Sequence, residues 1–289
     1  MWPRPCCGSL QLHERDTLNA DDLTFHAVEA APLMADIFAD YSEFYDLLHR
    51  DKPYAEEARF IAGLIGKFCE NDSSSLQILD LACGTGRHCF EMELLGYRVE
   101  GSDASPEMIR LARAAAAARG SAAVFHDLSF QDVFRIGREF DVVISMFSAI
   151  DYLTSHREIM TALRNIHGLL PPGGLFIFDY WNGNAVVRDY SPKRTVTKSD
   201  GTREITRTST TSLDLFRQIA TVTFDFRCRT GGETNHEFRE QHLIRYFYFP
   251  EMEAYLQDSG FELLHRSRFM ADSCNVDDWN ITIVARKRS

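Results

Sequence analysis

The spacing of hydrophobic and polar residues changes along this chain. Between residues 77 and 181, short apolar runs alternate with stretches in which apolar residues recur every three or four positions. A short apolar run is typical of a buried strand, and the longer spacing is typical of an amphipathic helix. Strands that alternate with helices indicate a parallel sheet with helices on both faces. Five strands are predicted, at 77–82, 97–103, 122–127, 140–147 and 175–181.

The predicted helices carry start signals that support this pattern. Two helices are expected ahead of the first strand, one beginning at Asp36 and the other over residues 54–69. Ser105 is expected to cap the helix that follows it, because a proline and then an acid come next. Ser155 and Glu158 have the spacing of a capping box.

A polar, β-rich segment follows the fifth strand. Residues 182–249 alternate at period two, which is typical of strands, and Gly231-Gly232 is predicted to form a hairpin tip. We expect an antiparallel insertion on the edge or top of the parallel sheet. A helix near Pro250 and two strands, at 261–270 and 279–287, complete the pattern.

The length of 289 residues allows two domains or one enlarged domain. The pattern favours a single domain that carries an insertion. That domain is predicted from 36–181 together with 250–289, and the insertion occupies 182–249. Residues 1–35 are predicted to be a loosely ordered leader.

The composition disfavours several classes of protein. Lys and Arg number 31 against 42 Asp and Glu, and the net charge of −11 disfavours a nucleic-acid partner. The seven cysteines are scattered without metal-ligand spacing, so no metal site is predicted, and reduced thiols indicate the cytoplasm. Apolar runs stay shorter than the ~18 residues of a membrane-spanning helix, so no membrane partner is expected.

The glycine-rich turn after the first strand is the most informative segment. Residues 80–86 read DLACGTG, and glycines there let the backbone approach a bound nucleoside closely. The third glycine of a dinucleotide-binding fingerprint is missing, because position 89 is Cys. Its absence disfavours a pyrophosphate at the helix N-terminus, and with it a nucleotide-dependent oxidoreductase.

Acidic residues end the next two predicted strands. Asp103 comes 19 residues after Gly84, where a carboxylate can accept both ribose hydroxyls of a nucleoside. Asp127 can accept a hydrogen bond from an adenine amino group. Each residue has a structural alternative, since Asp103 could cap the following helix and Asp127 could be a turn residue.

Five motifs occur in series along the chain: DLACGTG, GSDAS, FHDLSF, FDVVISMF and LLPPGGLFIFDYW. This series resembles that of class I S-adenosylmethionine-dependent methyltransferases over residues 36–289. The resemblance implies a Rossmann-like, seven-stranded, mostly parallel α/β sheet whose last strand is antiparallel. YDLLHR, CGTGRH, MFSAIDYL and the β insertion are similar to amino-sugar N-methyltransferases of deoxysugar pathways, and to bacterial relatives of unassigned substrate.

The resemblance implies S-adenosyl-L-methionine as cofactor and S-adenosyl-L-homocysteine as product. Gly84 and Gly86 would flank the methionine part, Asp103 would hold the ribose, and Asp127 with Leu128 would hold the adenine. The full set implied to bind the cofactor is Tyr45, Ala82, Gly84, Thr85, Gly86, Asp103, Ala104, Met108, Asp127, Leu128 and Met146.

Three members of this set have further implied positions. Met108 would cover the adenine face, Met146 would lie near the donor methyl, and Tyr45 would cap the cofactor from above. Met108 and Tyr45 have the alternative of being ordinary core residues.

The acceptor site is implied by the segment SAIDYL. In amino-sugar N-methyltransferases a histidine often occupies the place of Tyr152. A tyrosine, with an unperturbed pKa near ~10, is a poor base at neutral pH, but it can orient an acceptor by hydrogen bonding. Asp151 could take the proton, or it could face solvent. Together with Tyr41, these two residues form the predicted catalytic set.

The insertion supplies candidate substrate-binding residues. Arg239, His242 and Arg245 lie in one predicted strand, and the even spacing of the two arginines places them on one face. An arginine fork binds phosphate or carboxylate, so a nucleotide-linked sugar could dock there. The alternative is a solvated strand face with surface ion pairs.

The sequence therefore predicts methyl transfer to a small-molecule acceptor, an amino sugar or related metabolite, with N-methylation favoured. Two alternatives remain open at this stage: an O-methyltransferase of a small metabolite, and a non-catalytic cofactor-binding or interaction protein on the same fold. An exposed β insertion could also pair with its copy in a homodimer.

Overall fold

A computed structural model describes residues 42–69, 76–231 and 233–288 of the chain. The predicted leader at 1–35 and the candidate residue Tyr41 lie outside the described residues. Seven α-helices are present in this part: α1 Ser42–Leu48, α2 Tyr54–Phe68, α3 Arg87–Leu94, α4 Pro106–Arg119, α5 His156–Gly168, α6 Gly183–Asp189 and α7 Phe249–Asp258. Two 3₁₀ helices join them, at Val133–Ile136 and Ala149–Tyr152.

The described residues also form eleven strands in two sheets. Five strands fall where the apolar runs predict them, and the rest lie in the insertion and near the end of the chain. They are β1 Gln77–Leu81, β2 Arg98–Asp103, β3 Val124–Asp127, β4 Val142–Ser145, β5 Leu175–Trp181, β6 Lys193–Ser199, β7 Arg203–Asp214, β8 Ile219–Thr230, β9 Glu233–Arg245, β10 Phe261–Arg268 and β11 Asn280–Lys287.

Seven strands form the main sheet, in the order β10-β11-β5-β4-β1-β2-β3. Strands β1 to β5 are mutually parallel where they pair, and β11 runs antiparallel to both β5 and β10. The predicted Rossmann-like, mostly parallel sheet with an antiparallel last strand is therefore confirmed. Because the parallel strands share a direction, their carboxyl ends meet at one edge.

Each face of the main sheet is covered by helices. Successive side chains of a strand point to opposite faces, so Ile78 packs into one apolar cluster and Leu79 into the other. The cluster on the Ile78 face contains residues of α2, α3 and α4, including Ile61. The cluster on the Leu79 face contains residues of α5 and α7, including Leu163. This double cover explains why the strands read as continuous apolar runs.

The helix caps form as the sequence predicts. The Ser105 hydroxyl accepts a hydrogen bond from the backbone N–H of Met108. Ser155 and Glu158 form the reciprocal capping box at the start of α5. Both helices thus begin where their polar caps satisfy backbone donors that the first turn leaves unpaired.

The insertion forms a separate sheet of four antiparallel strands, in the order β6-β7-β8-β9. Its first segment differs from the prediction, because residues after Asn182 form α6 rather than strand. The side chain of Asn182 accepts a hydrogen bond from the backbone of Asn184 and caps this helix. A helix of only seven residues is too short to show a clear helical period, which is why the β-rich reading missed it.

Among the described residues, no helix is long and apolar enough to cross a membrane. Within the same residues, no group of His, Cys, Asp and Glu side chains is arranged to hold a metal ion.

Candidate functional site: a cavity at the carboxyl ends of the parallel strands

A cavity of about 440 Å³ opens where the carboxyl ends of β1, β2 and β4 meet. Its wall is completed by residues from α1, by β8 and β9 of the second sheet, and by Asn280 at the start of β11. This volume lies in the range of small-molecule sites, and the position is where open α/β sheets bind their ligands.

The glycine-rich turn forms one part of the cavity wall. Ala82 (φ 63°), Gly84 (φ 55°) and Gly86 (φ 79°) adopt the left-handed conformation, which folds the chain sharply between β1 and α3. A Cβ on Gly84 would meet no atom within 4 Å. A Cβ on Gly86 would lie only 2.8 Å from the ring of Phe125. Gly84 therefore leaves its backbone open to the cavity, and Gly86 is required for packing.

Asp103 connects this turn to the end of β2. Its Oδ2 accepts a hydrogen bond from the Gly84 N–H at 2.8 Å, and its Oδ1 accepts one from the Ser105 N–H at 2.9 Å. Burial raises the pKa of Asp103 to about 6, against the lowering effect of these two amides. Since Ser105 caps α4, the alternative role of Asp103 as a helix cap is not needed. Each carboxylate oxygen retains a second lone pair for a ligand.

Most of the residues implied to bind the cofactor line this cavity. They are Tyr45, Ala82, Gly84, Thr85, Asp103, Ala104, Met108, Leu128 and Met146. Two described members of the set, Gly86 and Asp127, do not contribute to its wall. Asp127 is exposed at the end of β3, so its contact with adenine stays a prediction.

Helix α1 is held against the glycine-rich turn by a side-chain hydrogen bond. The hydroxyl of Thr85 donates to Oδ1 of Asp46 at 2.8 Å. Just after α1, the Arg50 guanidinium donates to the Ser199 carbonyl oxygen of β6 at 2.6 Å. The segment that carries Tyr45 is thus fixed to both sheets, which places Tyr45 in the cavity wall.

Four carboxylates, from Glu57, Asp80, Asp103 and Asp179, also line the cavity. Burial raises the pKa of Asp80 and of Asp179. Asp179 accepts hydrogen bonds from the backbone and hydroxyl of Ser148, each at 3.0 Å, and from the Asn280 amide at 2.9 Å. In their ionised form, these carboxylates attract a cationic ligand.

The sequence analysis missed Asp179 and Asn280, although one of them carried a signal. Asp179 lies in the last part of β5, a parallel strand, and the carboxyl ends of parallel strands are where ligands bind. Asn280 begins the antiparallel β11 and is 101 residues from Asp179. Its position in the site depends on the pairing of β11 with β5, which no local pattern reveals.

Basic side chains line the cavity as well, among them His49, Lys52 and Arg207. Burial, followed by the charges of Arg207 and Lys52, lowers the pKa of His49 to about 4. His49 is therefore neutral at pH 7. Lys52 forms an ion pair with Glu57 and lies over the Phe147 ring, 4.7 Å from its centroid.

Tyr152 and His242 meet in the cavity although 90 residues separate them. The Tyr152 hydroxyl and Nδ1 of His242 lie 2.7 Å apart, and Nε2 of His242 is 3.2 Å from a carboxylate oxygen of Glu240. His242 is fully buried, and its ring packs edge-on against Phe224. The two residues were predicted separately, one as catalytic and the other as substrate-binding.

Asp151 is neither solvent-exposed nor part of the cavity wall. Its Oδ2 accepts a hydrogen bond from the Trp181 N–H at 2.8 Å, and burial raises its pKa well above the usual value. The alternative in which Asp151 faces solvent is therefore wrong. Its position also gives no support to the predicted role as proton acceptor, because the side chain points into the protein beside β5.

The two candidate arginines of β9, Arg239 and Arg245, lie outside the cavity. Arg239 is exposed and forms an ion pair with Asp225, with the Nε and Oδ1 atoms 2.6 Å apart. Arg245 forms an ion pair with Glu251, and its guanidinium lies over the ring of Phe247. Neither position supports the predicted binding of an anionic acceptor, because each guanidinium is already paired with a carboxylate of this chain.

The sheet and the cavity together define an α/β enzyme that binds a nucleoside cofactor at the edge of a parallel sheet. A family model for a methyltransferase domain matches residues 78–174, the segment that contains the glycine-rich turn and strands β1 to β4. This match extends from the first strand to just before the fifth, so it covers the first four motifs of the series and the start of the last one.

Two curated relatives match most of the chain. A dTDP-3-amino-3,4,6-trideoxy-alpha-D-glucopyranose N,N-dimethyltransferase of Streptomyces venezuelae is 30% identical, over 78% of this chain and 91% of the relative. A dTDP-3-amino-3,6-dideoxy-alpha-D-glucopyranose N,N-dimethyltransferase of Streptomyces fradiae is 32% identical, over 77% and 84%. The crystal structure of Streptomyces venezuelae DesVI superposes with a TM-score of 0.70 at 26% identity, covering 86% of this chain and 99% of that one.

The chain belongs to the S-adenosylmethionine-dependent methyltransferases. It is an enzyme, and S-adenosylmethionine is its cofactor. The cavity fits this molecule, because Gly84 leaves open space, Asp103 has lone pairs for ribose hydroxyls, and Met108 and Leu128 offer apolar contact to adenine. When bound, the cofactor supplies a methyl group on a positively charged sulfonium, which the acidic wall favours.

Proposed function

We propose that this enzyme methylates the amino nitrogen of a sugar linked to a nucleoside diphosphate. The observation that carries the proposal is that one cavity contains both the nucleoside-binding turn and the Tyr152–His242 pair. A donor and an acceptor bound there would be close together, and proximity accounts for much of the rate enhancement in such a transfer.

The relatives support this choice of substrate. Both curated relatives described above are named for N,N-dimethylation of a dTDP-linked amino sugar. Arg207 provides positive charge in the cavity wall, which suits the diphosphate of such a substrate. We therefore assign the binding of the diphosphate to this basic charge in the cavity wall, and no longer to Arg239 and Arg245.

The names of the curated relatives favour nitrogen over oxygen as the methylated atom. A neutral amine attacks without first losing a proton, whereas a hydroxyl must transfer its proton to a base. Asp151, the carboxylate predicted for that task, is buried outside the cavity. We therefore keep Tyr152 as the residue that orients the amine, and the cavity-lining residues of the implied set as those that bind the cofactor.

The test is a comparison of nucleotide sugars with and without an amino group. The purified enzyme is incubated with S-adenosylmethionine and either dTDP-3-amino-3,6-dideoxyglucose, a 4-amino isomer, or dTDP-glucose as the amine-free control. S-adenosylhomocysteine release is measured, and mass spectrometry counts the methyl groups on the product. We expect turnover with at least one amino sugar and none with the control. Equal methylation of dTDP-glucose, or no turnover with any amino sugar, would rule the proposal out.

Three broader expectations remain predictions. A homodimer formed through the edge of the second sheet is consistent with the unpaired outer edges of β6 and β9 in the described sheet order. A cytoplasmic location and the absence of a nucleic-acid partner are the expectations from cysteine usage and from the net charge of −11.

A further inference from the structure

Three side chains form a hydrogen-bonded series that begins in the cavity and ends at the second sheet. Tyr152 comes from the 3₁₀ helix after β4, and His242 and Glu240 come from β9. The two distances, 2.7 Å and 3.2 Å, are both within hydrogen-bonding range. We name these three residues the Tyr152 series. It connects the main sheet to the insertion at the point where we place the acceptor.

The direction of each hydrogen bond follows from the chemistry of the last member. An ionised carboxylate can only accept, so Glu240 takes the N–H of Nε2 of His242. In the neutral imidazole the other nitrogen, Nδ1, then has a lone pair and no hydrogen. With a neutral His242 ring, the Tyr152 hydroxyl then donates its hydrogen to Nδ1.

We propose that His242 and Glu240 are positioning residues that turn Tyr152 into a hydrogen-bond acceptor for the substrate amine. This inference rests on the proposed function. Because its hydrogen is directed to His242, Tyr152 presents oxygen lone pairs to the cavity. An N–H group of the acceptor can bind to this oxygen, and the nitrogen lone pair is then free to point at the donor methyl.

The surroundings of His242 hold the ring in this orientation. Phe224 packs against it with ring centroids 4.8 Å apart, and Val222 is its cross-strand partner in β8. His242 has no exposed surface. A buried ring with fixed neighbours loses little entropy when it orients the Tyr152 hydroxyl. Residues that do not contact the ligand commonly act in this way, by orienting the residues that do.

The first test is kinetic and uses the amino-sugar nucleotide that the wild type methylates. Tyr152→Phe removes the oxygen, and His242→Leu removes the ring nitrogens at similar volume. Each is expected to lower kcat about tenfold, the effect of one oriented hydrogen bond, with little change in KM for the cofactor. In the Tyr152→Phe background, His242→Leu should change kcat less than ~2-fold, because the residue through which it acts is gone.

Two further variants separate positioning from packing. Glu240→Gln keeps an oxygen that can accept from Nε2, and should retain most of the activity, whereas Glu240→Leu should lose as much as His242→Leu. Val222→Ala loosens the packing beside His242 without removing a hydrogen bond, so it should lower kcat much less than His242→Leu does. Thermal unfolding and cofactor binding are measured for every variant, so that a misfolded protein is recognised.

The second test needs no substrate. Nitrogen-15 NMR of the imidazole groups, assigned with His242→Leu, reports which nitrogen carries hydrogen. We expect the Nε2–H form at His242, and a changed form in Glu240→Leu. The proposal is overturned if His242 carries hydrogen on Nδ1, either as the neutral Nδ1–H ring or as an imidazolium, or if His242→Leu costs as much activity without Tyr152 as with it. A wild type that methylates no amino sugar would overturn the proposed function, while the NMR result would still decide the tautomer.

Discussion

At the scale of single residues, Asp103 shows how position decides the chemistry of a common side chain. Its carboxylate is fixed by the N–H groups of Gly84 and Ser105, and burial raises its pKa to about 6. In its predicted role, Asp103 needs the ionised form to accept two ribose hydroxyls. Protonation below pH ~6 therefore converts one of its acceptor oxygens into a hydroxyl and removes a negative charge from the cavity.

We accordingly expect the affinity for S-adenosylmethionine to fall about tenfold between pH 7.5 and pH 5, because binding must then displace a proton from Asp103. Isothermal titration calorimetry at the two pH values measures this change. The control is Asp103→Asn, which should bind more weakly at pH 7.5 but lose most of the pH dependence. An unchanged pH profile in that variant would mean that another group titrates.

The sequence predicted the location of individual residues most accurately at the ends of the parallel strands. Asp103 was found because the carboxyl end of a parallel strand adjoins the glycine-rich turn in any fold of this kind. Asp151 and Tyr152 are adjacent in the chain, and the sequence could not decide which one reaches the cavity. The short helix Ala149–Tyr152 turns Tyr152 to the cavity and Asp151 to the interior.

At the scale of secondary-structure elements, the turn between β1 and α3 tolerates almost no side chain at one position. Gly86 has φ 79°, and a Cβ there would lie 2.8 Å from the Phe125 ring. Gly63 offers a matched comparison, because it lies exposed within α2 and a Cβ there would meet nothing within 4 Å. The same substitution should thus have opposite effects at the two positions.

Gly86→Ala is expected to reduce the free energy of unfolding by about 1–3 kcal/mol, from left-handed strain and the displaced ring. Gly63→Ala should raise it by up to ~1 kcal/mol, because alanine favours the helix. Urea denaturation of both variants measures the two changes. A loss at Gly63 similar to that at Gly86 would contradict the explanation.

Element prediction succeeded where a pattern was long enough to repeat. Strands β1 to β5 and the caps of α4 and α5 lie close to the predicted positions, because burial on both faces and polar caps leave strong local signals. Helix α6 was missed because seven residues make too few turns to display a period.

At the scale of the whole molecule, the cavity is assembled from distant parts of the chain. Its wall includes Lys52, Asp103, His242 and Asn280, which come from distant parts of the chain and include residues of both sheets. An unfolded chain cannot hold these groups together, so the cofactor binds the native state alone. Binding should therefore stabilise the whole protein.

At a cofactor concentration of 100 times Kd, this stabilisation is ~2.7 kcal/mol. We expect it to raise the Tm by roughly 5–10 °C, and differential scanning fluorimetry measures the shift. NADH at the same concentration serves as the control and should give no shift, because the turn lacks the third glycine of a dinucleotide site. An equal Tm shift with NADH would indicate a dinucleotide site and would favour the alternative of a nucleotide-dependent oxidoreductase.

The sequence by itself determined the class of sheet, the glycine-rich turn and the position of Asp103. These features depend on local burial, on backbone conformation and on the fixed geometry of adjacent parallel strands. The acceptor side of the cavity was decided only by tertiary structure. Tyr152 meets His242 across 90 residues, and Arg239 and Arg245 are paired away from the cavity. The packing of the second sheet against the first places His242 beside Tyr152 and keeps Arg239 and Arg245 away from the cavity. This packing depends on long-range contacts, which no local sequence pattern reveals.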